Sequence, residues 1–329
     1  MLLVKRLATL MAVHTVKLCT VAAMLGLALA GSQPEARAEA TRSRIIDVPG
    51  PWTTYYGAAS TLDLAKVART YRLLVIDADP GQRNFTPEQI AQLRDSGRNR
   101  VLSYLNIGSC ERFRTYWRST GTAIPGCGAN LPAQRGVYHG YPDEMWMDPS
   151  DRNHQRLVLE YLAPRLVAQG VDGFYLDNME IVEHAPRADN GPCSATCRRG
   201  GLELVYKLRQ RYPQLTIIMQ NTVSPATRTA QIGGVPFPAL LDGIAHESVF
   251  APRHDAEADT WLAQWLAWRN EQPERHLWIG TLDYVGNCEN ADRARRTAER
   301  SHARGYVPAV SDASAGQQRI CDWPQPLVK

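Results

Sequence analysis

Two carboxylates sit where acid–base chemistry needs them. Asp177 closes the run GFYLD and Glu247 closes the run DGIAHE. Both runs are otherwise apolar or small, as buried strands are. An ionised carboxylate at the end of a buried strand is costly unless it is paired or used. A glycosidase uses such a pair: one carboxyl protonates the leaving oxygen, and the other attacks or activates water. The plainer reading, a carboxylate that only caps a loop or helix, suits a single Asp better than a ring of polar residues. Such a ring is present. Asp77, Asp79, Asn106, Asp177, Asn178, Gln220, Asn221, Glu247, Asp283, Ser311 and Asp312 each fall at the end of a short β-rich run. No Lys or Arg cluster accompanies them, which disfavours a phosphate substrate. The ring suits general acid–base work, a divalent cation or a cationic substrate.

Aromatic residues fall at or just after the same runs: Tyr55, Tyr56, Tyr104, Trp117, Trp146, Tyr175, Phe250 and Tyr284. Aromatic faces stack on the apolar faces of pyranose rings, so these suit a sugar cleft, although each taken singly also suits ordinary packing. Tyr175 precedes Asp177 by two residues, which puts both on one side of the same strand.

The elements that must hold these side chains repeat. β-rich runs occur at 54–57, 73–77, 101–106, 173–178, 216–221, 242–247, 277–283 and 306–312. Helix-period segments separate them at 61–69, 86–96, 152–169, 201–212, 255–272 and 290–303, and 223–241 is irregular with room for a short helix. Thr86-Pro87-Glu88-Gln89 reads as a capping box with Pro at the first helical position. Gly170 reads as the glycine ending the long fourth helix. Trp261, Trp265 and Trp268 read as a helix face packed on a sheet. Eight alternating units predict one (β/α)8 barrel over 51–329, with its active site at the C-terminal strand ends. A doubly wound open sheet is the runner-up, weakened because no G-x-G-x-x-G follows an early strand. The connections 109–150 and 179–200 are long, as functional loops are.

The chain has 329 residues, 44% hydrophobic and 21% charged, with a mean hydropathy of −0.33. Those values exclude a disordered, fibrous or multi-span membrane protein. Lys5, Arg6 and Lys17 precede a 13-residue apolar run at 18–30. That predicts an export signal over 1–38, cleaved after Ala38, with a linker at 39–50; a retained anchor is the alternative. Ser32 after Gly31 leaves no lipobox. Of 37 bases and 33 acids, the signal removes four and one, leaving 33 against 32. The near-neutral remainder argues against nucleic acid as a partner. Six cysteines remain, an even number that favours disulfides in an exported chain. Of fifteen possible pairings, 110–127, 193–197 and 288–321 would each staple one local region. A metal at Cys193-x3-Cys197 lacks a second ligand pair, and no cofactor is expected.

With these residues in view, the chain resembles the endo-α-1,4-polygalactosaminidase family, glycoside hydrolase family 114, within the α-galactosidase-like barrels. The resemblance rests on YYGAAS, LLVIDAD, VLSYLNIGSCERFR, EMWMDPSD, GVDGFYLDNME, IIMQN and GIAHESVF, which together span Trp52 to about Asp312. It implies a secreted barrel that hydrolyses galactosamine-rich polysaccharide. It puts the fourth-strand Asp on Asp177 as nucleophile and the sixth-strand Glu on Glu247 as acid, then base. It also implies retention of configuration and carboxyls about 5–5.5 Å apart. The Gly-Ser-x-Glu segment falls on Gly108, Ser109 and Glu111, and the Trp-x-Asp element on Trp146 and Asp148. The cysteine-bearing insert 187–200 departs from the pattern. Expected substrate contacts are Tyr56, Asp77, Tyr104, Asn106, Glu111, Trp146, Tyr175, Asn178, Gln220, Asn221, Asp283, Tyr284 and Asp312. Of these, Asp77, Glu111, Asp283 and Asp312, together with Glu180, could pair with substrate ammonium groups. A soluble monomer acting on a cationic polysaccharide is expected. Another α-linked exopolysaccharide, or a glycan-binding barrel without catalysis, are the rival readings.

Overall fold

In the computed structural model, the structure describes residues 50–272, 274–313 and 316–327. Thirteen strands appear in chain order: β1 (Trp52–Tyr55), β2 (Leu73–Ile76), β3 (Arg100–Asn106), β4 (Ser109–Glu111), β5 (Gln134–Tyr138), β6 (Tyr141–Met147), β7 (Gly173–Asp177), β8 (Thr216–Gln220), β9 (Gln231–Ile232), β10 (Val235–Pro236), β11 (Gly243–Glu247), β12 (Trp278–Tyr284) and β13 (Val307–Ser311). Eight of them form one parallel sheet in the order β1-β2-β3-β7-β8-β11-β12-β13. Every connection carries helix, as parallel neighbours require. The sheet curls until its first and last strands meet, where the Trp52 indole donates to the Val307 carbonyl at 2.9 Å. This is the expected (β/α)8 barrel.

Strand alternation builds two cores. On β2, Leu74 and Ile76 face the helices, while Leu73 and Val75 face the barrel axis. The axial column includes Trp52, Leu102, Tyr175, Ile218, Ala245, Trp278, Leu282 and Tyr284. The bottom of the barrel is pinned by two Asp-Gly pairs. Asp172 takes Arg94 at 2.8 Å and the Val101 amide at 3.0 Å. Asp242 takes Arg209 at 2.5 Å and the Ile217 amide at 2.9 Å. Each carboxylate ties the start of its strand to the preceding strand of the sheet.

The helix signals hold. Thr86 and Gln89 cap each other's backbone around Pro87. Asp151 caps the helix beginning Arg152–Arg156, which runs through a π-helical turn, Leu157–Leu162, into Ala163–Ala168. Gly170 ends it at φ +88°, with its amide donating to Val167. Trp265 is buried, with Trp261 and Trp268 against the same core. In 223–241 a short helix, Pro225–Arg228, is followed by the hairpin β9–β10. The connection after β3 holds more than a loop: β4, β6 and β5 form a three-stranded antiparallel sheet over it. The cysteines pair as 110–127, 193–197 and 288–321. That consumes the Cys193 and Cys197 thiolates and removes the metal alternative there. No helix among the described residues is long and apolar enough to cross a membrane. The expected signal at 1–38 and nearly all of the linker lie outside the described residues.

Candidate active site

Strand parity carries the axial column up to its mouth. Counting by two, Leu73 and Val75 lead to Asp77, Leu102 to Tyr104, Tyr175 to Asp177, Ile218 to Gln220, Ala245 to Glu247, and Leu282 to Tyr284. The mouth opens into a cavity of about 590 Å³ lined by Tyr56, Asp77, Tyr104, Glu111, Asp177, Asn178, Gln220, Asn221 and Glu247 among the expected residues. Both members of the expected pair therefore share one cavity. Three residues just past the strand ends adopt left-handed backbone: Asn178 (φ +59°), Asn221 (φ +60°) and Ser248 (φ +57°). These sharp turns leave the preceding side chains pointing along the axis, and Asn tolerates them better than most residues.

Glu247 is held by donors on both oxygens. Asn221 Nδ2 donates to Oε2 at 3.1 Å, Gln317 Nε2 donates to Oε1 at 2.9 Å, and the Tyr284 hydroxyl donates to Oε1. Asn221 also accepts the Glu247 amide at 3.0 Å. Asp177 has a different setting. Burial first, and then the nearby charges of Glu180, Glu247 and Glu144, push its carboxyl well above the usual range. Burial raises Glu180 to about 7. Burial and Glu111 raise Glu144. No Lys or Arg forms an ion pair with Glu144, Asp177, Glu180 or Glu247 among the described residues.

Glu144 belongs to this group although sequence reasoning missed it. It lies on β6 and lines the cavity. Asn106 at 3.0 Å, Asn178 at 2.6 Å and Ser109 all donate to its Oε1. Among the described residues, none donates a hydrogen bond to its Oε2. The turn that brings Ser109 here needs Gly108, since a Cβ would lie 1.7 Å from the Asn178 carbonyl. Arg114, also unexpected, is the buried cation of the mouth. It donates to Asp77 at 2.7 Å and Glu111 at 3.2 Å, and its guanidinium lies 5.4 Å from the Tyr104 ring centre.

Several expected contacts need correction. Asp77 and Glu111 line the cavity, but both are already engaged by Arg114, which an amine would have to share them with. Asp283 has the wrong parity: it points outward and accepts the Phe250 and Ala251 amides at 2.6 and 2.9 Å. Burial lifts it to about 6. Tyr175 has the right parity but sits one layer down, fully buried in the barrel floor. Tyr284 reaches the site through Glu247 rather than through the cavity wall. Asn106 works behind Glu144. Trp146 is buried beneath the β5–β6 hairpin, its indole donating to Asn190 at 2.6 Å. Asp312 follows β13, outside the cavity lining. The insert after β7 braces the hairpin, since Asn190 also accepts the His139 amide at 3.0 Å. Among the described residues, buried polar atoms at the mouth without a hydrogen-bond partner include Tyr56 Oη, Tyr175 Oη, Glu111 Oε2, Arg114 Nε, Gln220 Oε1 and Gln317 Oε1.

A larger cavity, about 1210 Å³, lies at the opposite end of the barrel, between the helix Leu64–Thr70 and the segment 320–327. Its lining includes Pro51, Arg72 and Val307 at strand beginnings, the end of a barrel that does not carry the chemistry.

A parallel eight-stranded barrel with paired carboxylates in its C-terminal mouth is the architecture of a (β/α)8 glycoside hydrolase. The chain belongs to glycoside-hydrolase family GH114, whose family model matches residues 35–323. Its fold is similar to the glycoside hydrolase domain of PelA from Pseudomonas aeruginosa: TM-score 0.62 at 19% identity, over 83% of this chain and 98% of that one. A single-substitution variant of the same domain from the same organism superimposes alike, with TM-score 0.61 at 19% identity and the same shares of both chains. No curated protein sequence matches the chain.

Proposed function

We propose that the chain is an exported, endo-acting hydrolase of α-1,4-linked, galactosamine-rich polysaccharide, working with retention through Asp177 and Glu247. The observation that carries this reading is the charge of the mouth. Asp177 and Glu247 share a cavity with Glu144 and beside Glu180, and no Lys or Arg among the described residues pairs with them. A neutral glycan gains little from such a mouth, whereas a polymer bearing ammonium groups is drawn into it. Glu144 Oε2, which takes no hydrogen bond among the described residues, is the natural partner for a substrate ammonium. Buried aromatic and amide groups around the pair suit sugar hydroxyls. The three disulfides fit an oxidising compartment. The cleavable signal over 1–38, the linker at 39–50 and a monomeric state belong to the same reading.

One proton serves the pair. In the free site, burial and the neighbouring carboxylates hold it on Asp177. An ammonium beside Glu144 and Glu180 cancels those like charges, so the proton passes from Asp177 to Glu247 and Asp177 is left ionised. Asp177 then bonds to the anomeric carbon as the glycosidic bond breaks, and Glu247 gives its proton to the leaving oxygen. Water next attacks the same carbon and returns a proton to Glu247, and the Asp177 ester bond breaks. Tyr284, Gln317 and Asn221 keep Glu247 in place through both steps.

The test is a product assay. The chain from Glu39 onward is incubated with partly deacetylated galactosaminogalactan, and the oligosaccharides are read by mass spectrometry and by proton NMR at early times. Short galactosamine-containing products that first appear as α-anomers are expected. Asp177→Asn and Glu247→Gln should each lower the rate by about a thousandfold or more. β-anomers first would overturn retention. Products from the parent at undiminished rate in either variant would overturn the pair.

A further inference from the structure

The large apolar side chains that stand in solvent among the described residues are Phe113 (64% exposed), Leu131 (68%), Val137 (40%) and Tyr141 (49%). All four fall in the elaboration between β3 and β7, and none on the barrel's helical coat. Clustered apolar exposure of this kind marks a surface that meets something. The four divide by chemistry. The aromatic pair, Phe113 and Tyr141, lines the rim of the carboxylate cavity, and the aliphatic pair does not.

We infer that Phe113 and Tyr141 form a stacking shelf that holds the polysaccharide chain beyond the sugars at the catalytic pair. The inference rests on the proposed glycan hydrolysis and extends it to where the chain runs. The antiparallel pairing of β4 with β6 brings the two residues to one edge. Glu111 pairs with Glu144, and the Arg112 amide donates to the Asp143 carbonyl at 2.7 Å. Tyr141 opens β6 and Phe113 lies in the turn just past β4, and both line the cavity mouth.

Both rings are held from behind, as a platform must be. Phe113 rests on the Arg114 guanidinium, 5.1 Å from its ring centre. Tyr141 meets Tyr138 edge-on at 5.0 Å, Tyr138 stacks on Trp146 at 4.1 Å, and Trp146 is buried. This ladder runs from solvent into the core, and Asn190 fixes it by accepting from both Trp146 and the hairpin turn. Side chains already ordered lose little entropy when a ligand stacks on them. A protein partner would use the aliphatic pair as readily as the aromatic one. A sugar chain leaving the cavity meets only the aromatic pair.

The test compares substrate lengths. Phe113→Ala, Tyr141→Ala and Tyr141→Trp are assayed beside the parent on long galactosaminogalactan and on a tetrasaccharide of the same composition. Each loss of a ring should lower kcat/KM on the long polymer about three- to tenfold, through KM. The same variants should lose less than twofold on the tetrasaccharide. Tyr141→Trp, which keeps a ring, should retain parental KM. Equal losses at both lengths, or none at either, overturn the shelf. Affinity electrophoresis in gels containing the polymer gives a readout free of turnover. A parent that cuts nothing but is retarded, with retardation lost in Tyr141→Ala, would sink the proposed hydrolysis and keep the shelf. A parent that is not retarded would overturn the shelf itself.

Discussion

The two ends of this barrel treat their carboxylates in opposite ways. At the bottom, Asp172 and Asp242 each meet arginine and a backbone amide, so charge is neutralised as it is buried. At the top, Glu144, Asp177 and Glu180 face one another and Glu247, and no arginine or lysine among the described residues pairs with them. The one buried cation near the top, Arg114, is spent on Asp77 and Glu111. The same residue type thus does structural work at one end and carries uncompensated charge at the other. Burying like charges together costs stability, and a fold keeps such an arrangement where a ligand or a reaction uses it.

That contrast can be broken from either side. The largest effect on stability is expected at the bottom. Asp242→Ala removes the carboxylate that meets the buried Arg209 guanidinium, a loss of about 3–5 kcal/mol. The melting temperature should fall by on the order of 10 °C, with activity per folded molecule retained. Asp177→Asn at the top should melt no lower than the parent. Equal destabilisation by the two variants in a calorimeter would erase the distinction between the ends.

A smaller effect concerns Glu180. Its folded carboxyl titrates near 7, above the ordinary 4.5. The stability that it contributes is therefore fully present below about pH 4 and lost as the pH rises through 7. Glu180→Gln removes that loss. The variant should melt about 2–4 °C above the parent at pH 8 and level with it at pH 4. A gap of the same size at both pH values would assign the effect to packing rather than charge.

The sequence made the contrast partly readable. Strand-end residues at period two put Asp77, Tyr104, Asp177, Gln220 and Glu247 at the mouth, because alternation fixes which side chains face the axis. The same rule, applied one residue more strictly, excludes Asp283 and drops Tyr175 to the floor. The disulfides 110–127 and 193–197 were legible because each joins cysteines that one loop region already brings near, whereas 288–321 closes over a helix and the last strand. Glu144 was not legible as a site residue, because it reaches the cavity only through the antiparallel pairing of β4 with β6. The hint was a turn, His139-Gly140, between two β-rich runs inside a connection read as a loop. Arg114 lies between Arg112 and Arg118 in a connection read as a loop, and no period aims it at Asp77 and Glu111, the two expected amine-binding carboxylates that it bridges. Gln317 comes from beyond the last strand, where no period points at the mouth.

The most direct test of the uncompensated mouth is the pH dependence of kcat/KM on a galactosamine oligosaccharide, for the parent and for Glu144→Gln. Asp177 holds the proton that Glu247 must give, so activity should fall as the pH rises through its elevated pKa. Removing the Glu144 charge should move that basic limb to lower pH. A basic limb that stays in place would contradict the account.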